Sequence, residues 1–265
     1  MNISTTYKSF TASLITIIVF SSFHLANPVD ETSPLIYPSN DSRLSEYKQL
    51  KYKKDATRLA LRLLSAHKDY IDINAEVPSE MVSSIYGALV AVHTSELPKA
   101  AEVTKRHKLH TFPMPSIDQF FVIYEKTADW CQPLRLGGNT TDNTKINQLL
   151  KTYDLAIDQH MEWDEMHNSF NVRAQSSLNM APVAQLFSTM DNVLLVDLLV
   201  PDGDGNDIEI KELKGGWEIN YYVKFDTCIT GCKQRHVWTF EVLDGHATFV
   251  KEWGDDLPNW MKKNG

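Results

Sequence analysis

Residues 217–225 read WEINYYVKF and residues 236–242 read HVWTFEV. In the first stretch Trp217, Ile219, Tyr221, Val223 and Phe225 occupy every second position, with Glu218, Asn220 and Lys224 among the residues between them. In the second, His236, Trp238, Phe240 and Val242 do the same. An apolar period of two belongs to a strand with one face in a core and one in water. Asp244-Gly245 follows, a strong signal for a type I′ hairpin, and His246 to Trp253 forms the returning strand. Upstream, Ile208 to Lys214 alternates, and Gly215-Gly216 supplies another tight turn. Val193 to Val200 (VLLVDLLV) is almost wholly apolar, as expected of a central strand. The C-terminal part is therefore expected to be a five-stranded antiparallel β-meander over residues 193–253.

Further upstream the period changes. Leu59, Leu63 and the charges around them predict an amphipathic helix from near Ser42 to about His67. Val82, Ile85, Tyr86, Leu89 and Val92 form the apolar stripe of a second helix beginning at Ser79. Glu96 to His107 is a third, shorter helix. Gln119 to Lys126 (QFFVIYEK) reads as a strand. After the break at Gly137-Gly138-Asn139, Asp142 is expected to cap a long helix carrying Ile146, Leu149, Leu150, Tyr153 and Ile157 on one side. A short helix is expected over Ala181 to Met190. The predicted fold class is α+β: one domain over 42–265, its helical part (42–190) packed on the meander.

The N-terminus sets the expected compartment. Residues 1–26 carry Lys8, no acidic residue and an apolar run from Phe10 to Phe23, which is the layout of a secretory signal peptide. Cleavage after Ala26 places His24 three residues back, where a small side chain is preferred, so the cut site stays open. No other stretch approaches the roughly 20 apolar residues of a membrane helix. Residues 27–41, rich in Pro, Ser and acids, read as a tether. The chain carries a net charge of −8, and removing Lys8 with the signal makes it −9. That balance argues against nucleic acid as a partner. The single basic cluster, Lys105-Arg106-His107-Lys108, reads as a solvated helix end. The expected localisation is secreted or periplasmic, with an unidentified protein or small ligand as partner.

His110-Thr111-Phe112-Pro113, the Asp202–Ile208 loop, and Cys228-Ile229-Thr230-Gly231-Cys232 with His236-Val237-Trp238-Thr239-Phe240 after it resemble a group of uncharacterised exported bacterial proteins. The resemblance covers most of the mature chain. It implies export and no particular activity.

Several residues have the types that carry chemistry. Cys228 and Cys232 suit a disulfide in an oxidising compartment, leaving Cys131 unpaired. With His236 and a fourth ligand from His246 or Cys131 they also have zinc-ligand types, although no second matching pair exists. His236 falls on the Trp238/Phe240 face, which favours a packed imidazole. Asp202, Asp204 and Asn206 alternate like the first ligands of a calcium loop, with Asp207 beside them. The glycine and the distal glutamate of such a loop are replaced by Asp207 and Leu213, so a plain solvated connection competes. His160, Asp164 and His167 share a face if their segment is helical, and offer a second metal or acid/base candidate. His93 reads as a core-edge histidine and Trp130 as packing.

In a meander alternate connections share an end. The acidic loop 201–207 and the cysteine loop 226–234 are therefore expected side by side, as a candidate functional edge. No Gly-x-Ser-x-Gly, phosphate-cradling Gly-rich loop or His-Glu-x-x-His is present. The reading that follows is an exported, non-catalytic binding or interaction module. The competing reading is an exported metal-dependent hydrolase using the His160/Asp164/His167 face.

Overall fold

Period and turn chemistry carry residues 207–254 into a sheet in which every strand pairs with its sequence neighbour. The computed structural model describes residues 41–65, 72 and 74–262. The predicted signal peptide 1–26 and residues 27–40 of the tether lie outside the described residues. Helix α1 (Glu46–Leu64), helix α2 (Ser79–Thr94) and helix α3 (Pro98–Ala101) come first, and α3 runs on into a π-helical turn, Glu102–Arg106. Strand β1 (Gln119–Glu125), helix α4 (Gln132–Arg135), helix α5 (Thr144–Thr152), strands β2 (Leu155–Glu162) and β3 (His167–Ala174), helix α6 (Met180–Ser188) and strand β4 (Val193–Asp197) follow. Strands β5 (Asp207–Leu213), β6 (Gly216–Phe225), β7 (Gln234–Leu243) and β8 (His246–Gly254) and helix α7 (Asn259–Lys262) complete the chain.

The fold is α+β, with two antiparallel sheets of four strands rather than one of five. Their orders are β2-β3-β1-β4 and β5-β6-β7-β8. In the meander sheet, Trp217, Ile219, Tyr221, Val223, Trp238, Phe240 and Val242 pack with Tyr52, Ala56 and Leu59 of α1 and Ile85, Leu89 and Val92 of α2. Each of the larger side chains contributes about 1.5–3 kcal/mol of transfer free energy on burial. Trp217 Nε1 donates to Ser84 Oγ (3.0 Å), so its polar atom is satisfied. The first sheet has its own core: Phe120, Val122, Tyr124, Phe170 and Val172 against Val183 and Phe187 of α6.

Three expectations are corrected. The apolar run from Val193 becomes β4, which pairs with β1 at the edge of the first sheet, and Leu195 is 49 % exposed. A continuous apolar run identifies a strand without saying which sheet receives it. The helix after Gly138 ends at Thr152, and its cap is Asn143, whose side chain accepts from Lys145 N and Ile146 N, rather than Asp142. Asp154 then adopts φ +49° and the chain continues as β2, in which Leu155 and Ile157 are core residues at period two. The β5–β6 turn consists of Lys214 and Gly215 (φ +84°); Gly216 is already in β6, where a Cβ would collide with the Val242 carbonyl. Asp244 (φ +49°) and Gly245 (φ +74°) form the turn expected there. Among the described residues no helix is long and apolar enough to cross a membrane.

Candidate functional site

Helix α1 places Lys48, Lys51, Tyr52 and Asp55 on one stripe by the i, i+3, i+4 rule. Tyr52 and Asp55 are buried; Lys48 and Lys51 are exposed. The π-helical turn opposite has a wider pitch, with His107 N bonded to Glu102 O (2.9 Å). It sends the consecutive basic residues in different directions. Arg106 donates to the carbonyl of Met261 (2.9 Å), and the His107 ring packs on Trp238 at 5.4 Å. Lys105 and Lys108 instead join Lys48 and Lys51 around a cavity of about 530 Å³. Lys108 holds φ +51°, a conformation that costs a non-glycine residue about 1 kcal/mol.

The remaining wall consists of Ser45, Tyr47, Tyr52, Thr104, His93 at the end of α2, and His110. Among the described residues no carboxylate lines it. Four lysines thus face one cavity in a chain whose net charge is −8. The helix end read at 105–108 does leave Lys105 and Lys108 exposed, and both border this cavity.

The two histidines are held differently. His93 Nδ1 lies 2.8 Å from Tyr52 Oη, and its Nε2 lies 3.5 Å from Lys48 Nζ. Burial, then Lys48, Lys105 and His110, push its pKa down to about 4. It is neutral at pH 7. An ammonium offers only donors, so both contacts are satisfied with hydrogen on Nδ1. Nδ1–H then donates to Tyr52, and Nε2 accepts from Lys48. Burial and the nearby Asp55 raise the Tyr52 phenol far above its ordinary range, so it stays protonated.

His110 Nδ1 donates to Asp55 Oδ2 at 2.6 Å. The other oxygen of Asp55 accepts from Thr111 N (3.0 Å) and Thr111 Oγ1 (2.7 Å).

The candidates read from sequence lie elsewhere. Asp204 Oδ1 accepts from Lys224 Nζ (2.8 Å) and Gly205 N (2.8 Å), and Asn206 Oδ1 accepts from Lys224 N (3.0 Å). Asp207 Oδ1 takes Arg62 Nη1 (2.9 Å), Phe112 N (2.8 Å) and Ile208 N (2.8 Å). Asp202 stays exposed. Within this loop Asp204 and Asp207 neutralise Lys224 and Arg62, and the side-chain oxygens of Asp204, Asn206 and Asp207 anchor backbone amides. Among the described residues no three His, Cys, Asp or Glu side chains gather as a metal site.

The acidic and cysteine loops do meet, with Asp204 N donating to Cys228 O (3.1 Å). Cys228 and Cys232 are disulfide-bonded, and Cys131 is buried and free, donating to Ala128 O. His236 is packed at 4.5 Å against Trp238 and bonded to Asp255 O (2.7 Å) and Glu252 Oε1 (2.9 Å).

His160, Asp164 and His167 do not share a helical face, because their segment is a hairpin. His160 is on β2 and bonds Tyr124 Oη (2.7 Å). Asp164 caps the turn by accepting from Met166 N, His167 N and His167 Nδ1 (2.7, 2.8 and 2.8 Å). His93 and Trp130 are buried as expected, but His93 also lines the cavity. What sequence reading missed was long-range. Lys48 and Lys105 lie far apart in the chain, and only the 48/51/52/55 spacing on a predicted helix hinted at a shared face.

No family model, no curated protein and no solved structure matches this chain.

Proposed function

We propose that the protein is an exported binding protein whose basic cavity captures an anionic small molecule. The observation that carries this reading is the ring of Lys48, Lys51, Lys105 and Lys108 around a cavity with no acidic lining residue among the described residues. Mutual repulsion of four ammonium groups is relieved by a bound anion. Hydrogen bonds to charged groups contribute about 1.5–3 kcal/mol each, enough for measurable affinity from two or three of them. The cavity volume falls within the range that takes a small ligand. Export is supported by the 1–26 segment of the sequence and by the Cys228–Cys232 bond, which suits an oxidising compartment.

Isothermal titration with pyrophosphate and with an uncharged polyol of similar size tests the reading. Pyrophosphate is expected to bind and the polyol not. Lys48→Ala is expected to weaken binding by about tenfold, roughly one charge-assisted contact. Equal binding of both compounds, or an affinity indifferent to Lys48, overturns it.

A further inference from the structure

Among the described residues two Asp–His side-chain pairs occur, and their carboxylates are placed in opposite ways. Asp164 and His167 sit at a hairpin turn, where the carboxylate is 48 % exposed. In the other pair the Asp55 side chain is 2 % exposed and the His110 side chain 30 %. The carboxylate is sealed beneath and the imidazole is presented to the cavity. Thr111 N and Oγ1 hold Asp55 Oδ1, so the carboxylate cannot turn away from the ring. With Nδ1–H given to Asp55 at 2.6 Å, the tautomer is fixed. Nε2, on the far edge of the ring, is left to exchange a proton. A buried carboxylate that orients an imidazole and stabilises its protonated form is the arrangement by which histidine serves as a general base. The other cavity groups cannot take this part: His93 has both nitrogens engaged, and Tyr52 holds its proton.

We propose that His110 is a catalytic general base, positioned by Asp55, for hydrolysis of a phosphodiester held by the cavity lysines. The proposal rests on the anion-binding reading and goes beyond it. A water oxygen attacks phosphorus while its proton passes to His110 Nε2. The bond from phosphorus to one ester oxygen breaks, and the departing alcohol oxygen takes that proton back from the imidazolium. One diester and one water become one monoester and one alcohol. Lys48, Lys51, Lys105 and Lys108 offset the negative charge that otherwise repels the incoming oxygen. A diester is favoured over a monoester because the monoester's loose transition state asks little of a base acting on the nucleophile.

The test is turnover of bis(4-nitrophenyl) phosphate with a chelator present, alongside calorimetric binding of inorganic phosphate. The wild type is expected to hydrolyse the diester at a rate the chelator leaves unchanged. His110→Gln is expected to lose about 100-fold in turnover while keeping phosphate affinity. Asp55→Asn is expected to lose activity through a misdirected ring, and His167→Gln none. Should the His110 variant fail to fold, the wild-type pH profile decides: the rate must fall tenfold per pH unit on its acid side. Phosphate binding without turnover overturns the catalytic proposal and leaves the anion reading standing. Absence of phosphate binding removes both. Turnover that survives in His110→Gln, vanishes with chelator, or ignores pH also overturns the proposal.

Discussion

The two sheets have equal strand numbers and the same antiparallel pairing, yet they are assembled differently. In the meander each of β5 to β8 pairs with its sequence neighbour, and tight turns at Lys214-Gly215 and Asp244-Gly245 set the register. In the other sheet β1 sits between β3 and β4, so its partners arrive from far along the chain. Local turns can direct the first arrangement. The second depends on a shared core, Phe120 and Phe170 against Phe187, to select its pairings. The helices over the meander also do a second job: α1 and the segment around the π-turn bury one side in the core and bring lysines to the cavity, while α2 brings His93.

The first way to break this comparison is to empty each core. Phe240→Ala in the meander and Phe170→Ala in the other sheet remove side chains with no solvent exposure. Each is expected to cost about 3–5 kcal/mol. Arg62–Asp207 and Lys54–Asp118 tie α1 to both β5 and the segment before β1, so both variants are expected to shift one common transition. Two separable transitions in calorimetry, each moved by one variant, break the coupling.

The next effect concerns the buried acceptor. Asp55→Ala strands the Nδ1–H of His110 and both Thr111 donors, for an expected loss of about 3 kcal/mol in urea unfolding. Asp164→Ala, in the exposed pair, is expected to leave the unfolding midpoint unchanged. Equal losses contradict the contrast between the two pairs.

Much of the meander half was legible in sequence, and the reason is physical. Trp217 to Phe225 and His236 to Val242 show period two, and Asp244-Gly245 needs no partner beyond its own hairpin. In the other half Ile157 satisfies a helical period with Leu150 and Tyr153 and a strand period with Leu155, and the left-handed turn at Asp154 is what decides. Val193 to Val196 announces a strand but not its neighbour. The site was less legible still. Lys105 and Lys108 were visible as a basic run, but one regular helical pitch does not say that a π-turn separates them from Arg106 and His107. His110 carried no local mark of its pairing with Asp55.

A smaller effect sharpens the account of the cavity. The folded-state pKa of His93 is about 4, below the roughly 6.5 of an unfolded histidine. The unfolded chain therefore binds more protons in this window, so stability is full above pH 6.5 and falls as pH drops toward 4. The expected loss is about 2 kcal/mol once solvent in the cavity is allowed for. A bound anion beside the ring is expected to reduce that loss, and urea unfolding at pH 7 and pH 4.5 with and without phosphate measures both. The smallest effect is expected of the staple: replacing Cys228 and Cys232 with Ser closes no large loop and should cost about 1–2 kcal/mol, leaving phosphate affinity unmoved.

The most direct test of the central claim reverses the charge of the cluster that the fold divides. Lys105→Glu/Lys108→Glu is compared with Lys211→Glu/Lys214→Glu, which makes the same change in net charge on exposed residues of β5 and its turn, outside the cavity wall. Phosphate is titrated into both by calorimetry. The account predicts that the first pair abolishes binding and the second leaves it within about twofold, because screening by salt confines the effect to nearby charges. Equal weakening by both pairs, or binding that survives the first, contradicts an anion site in this cavity.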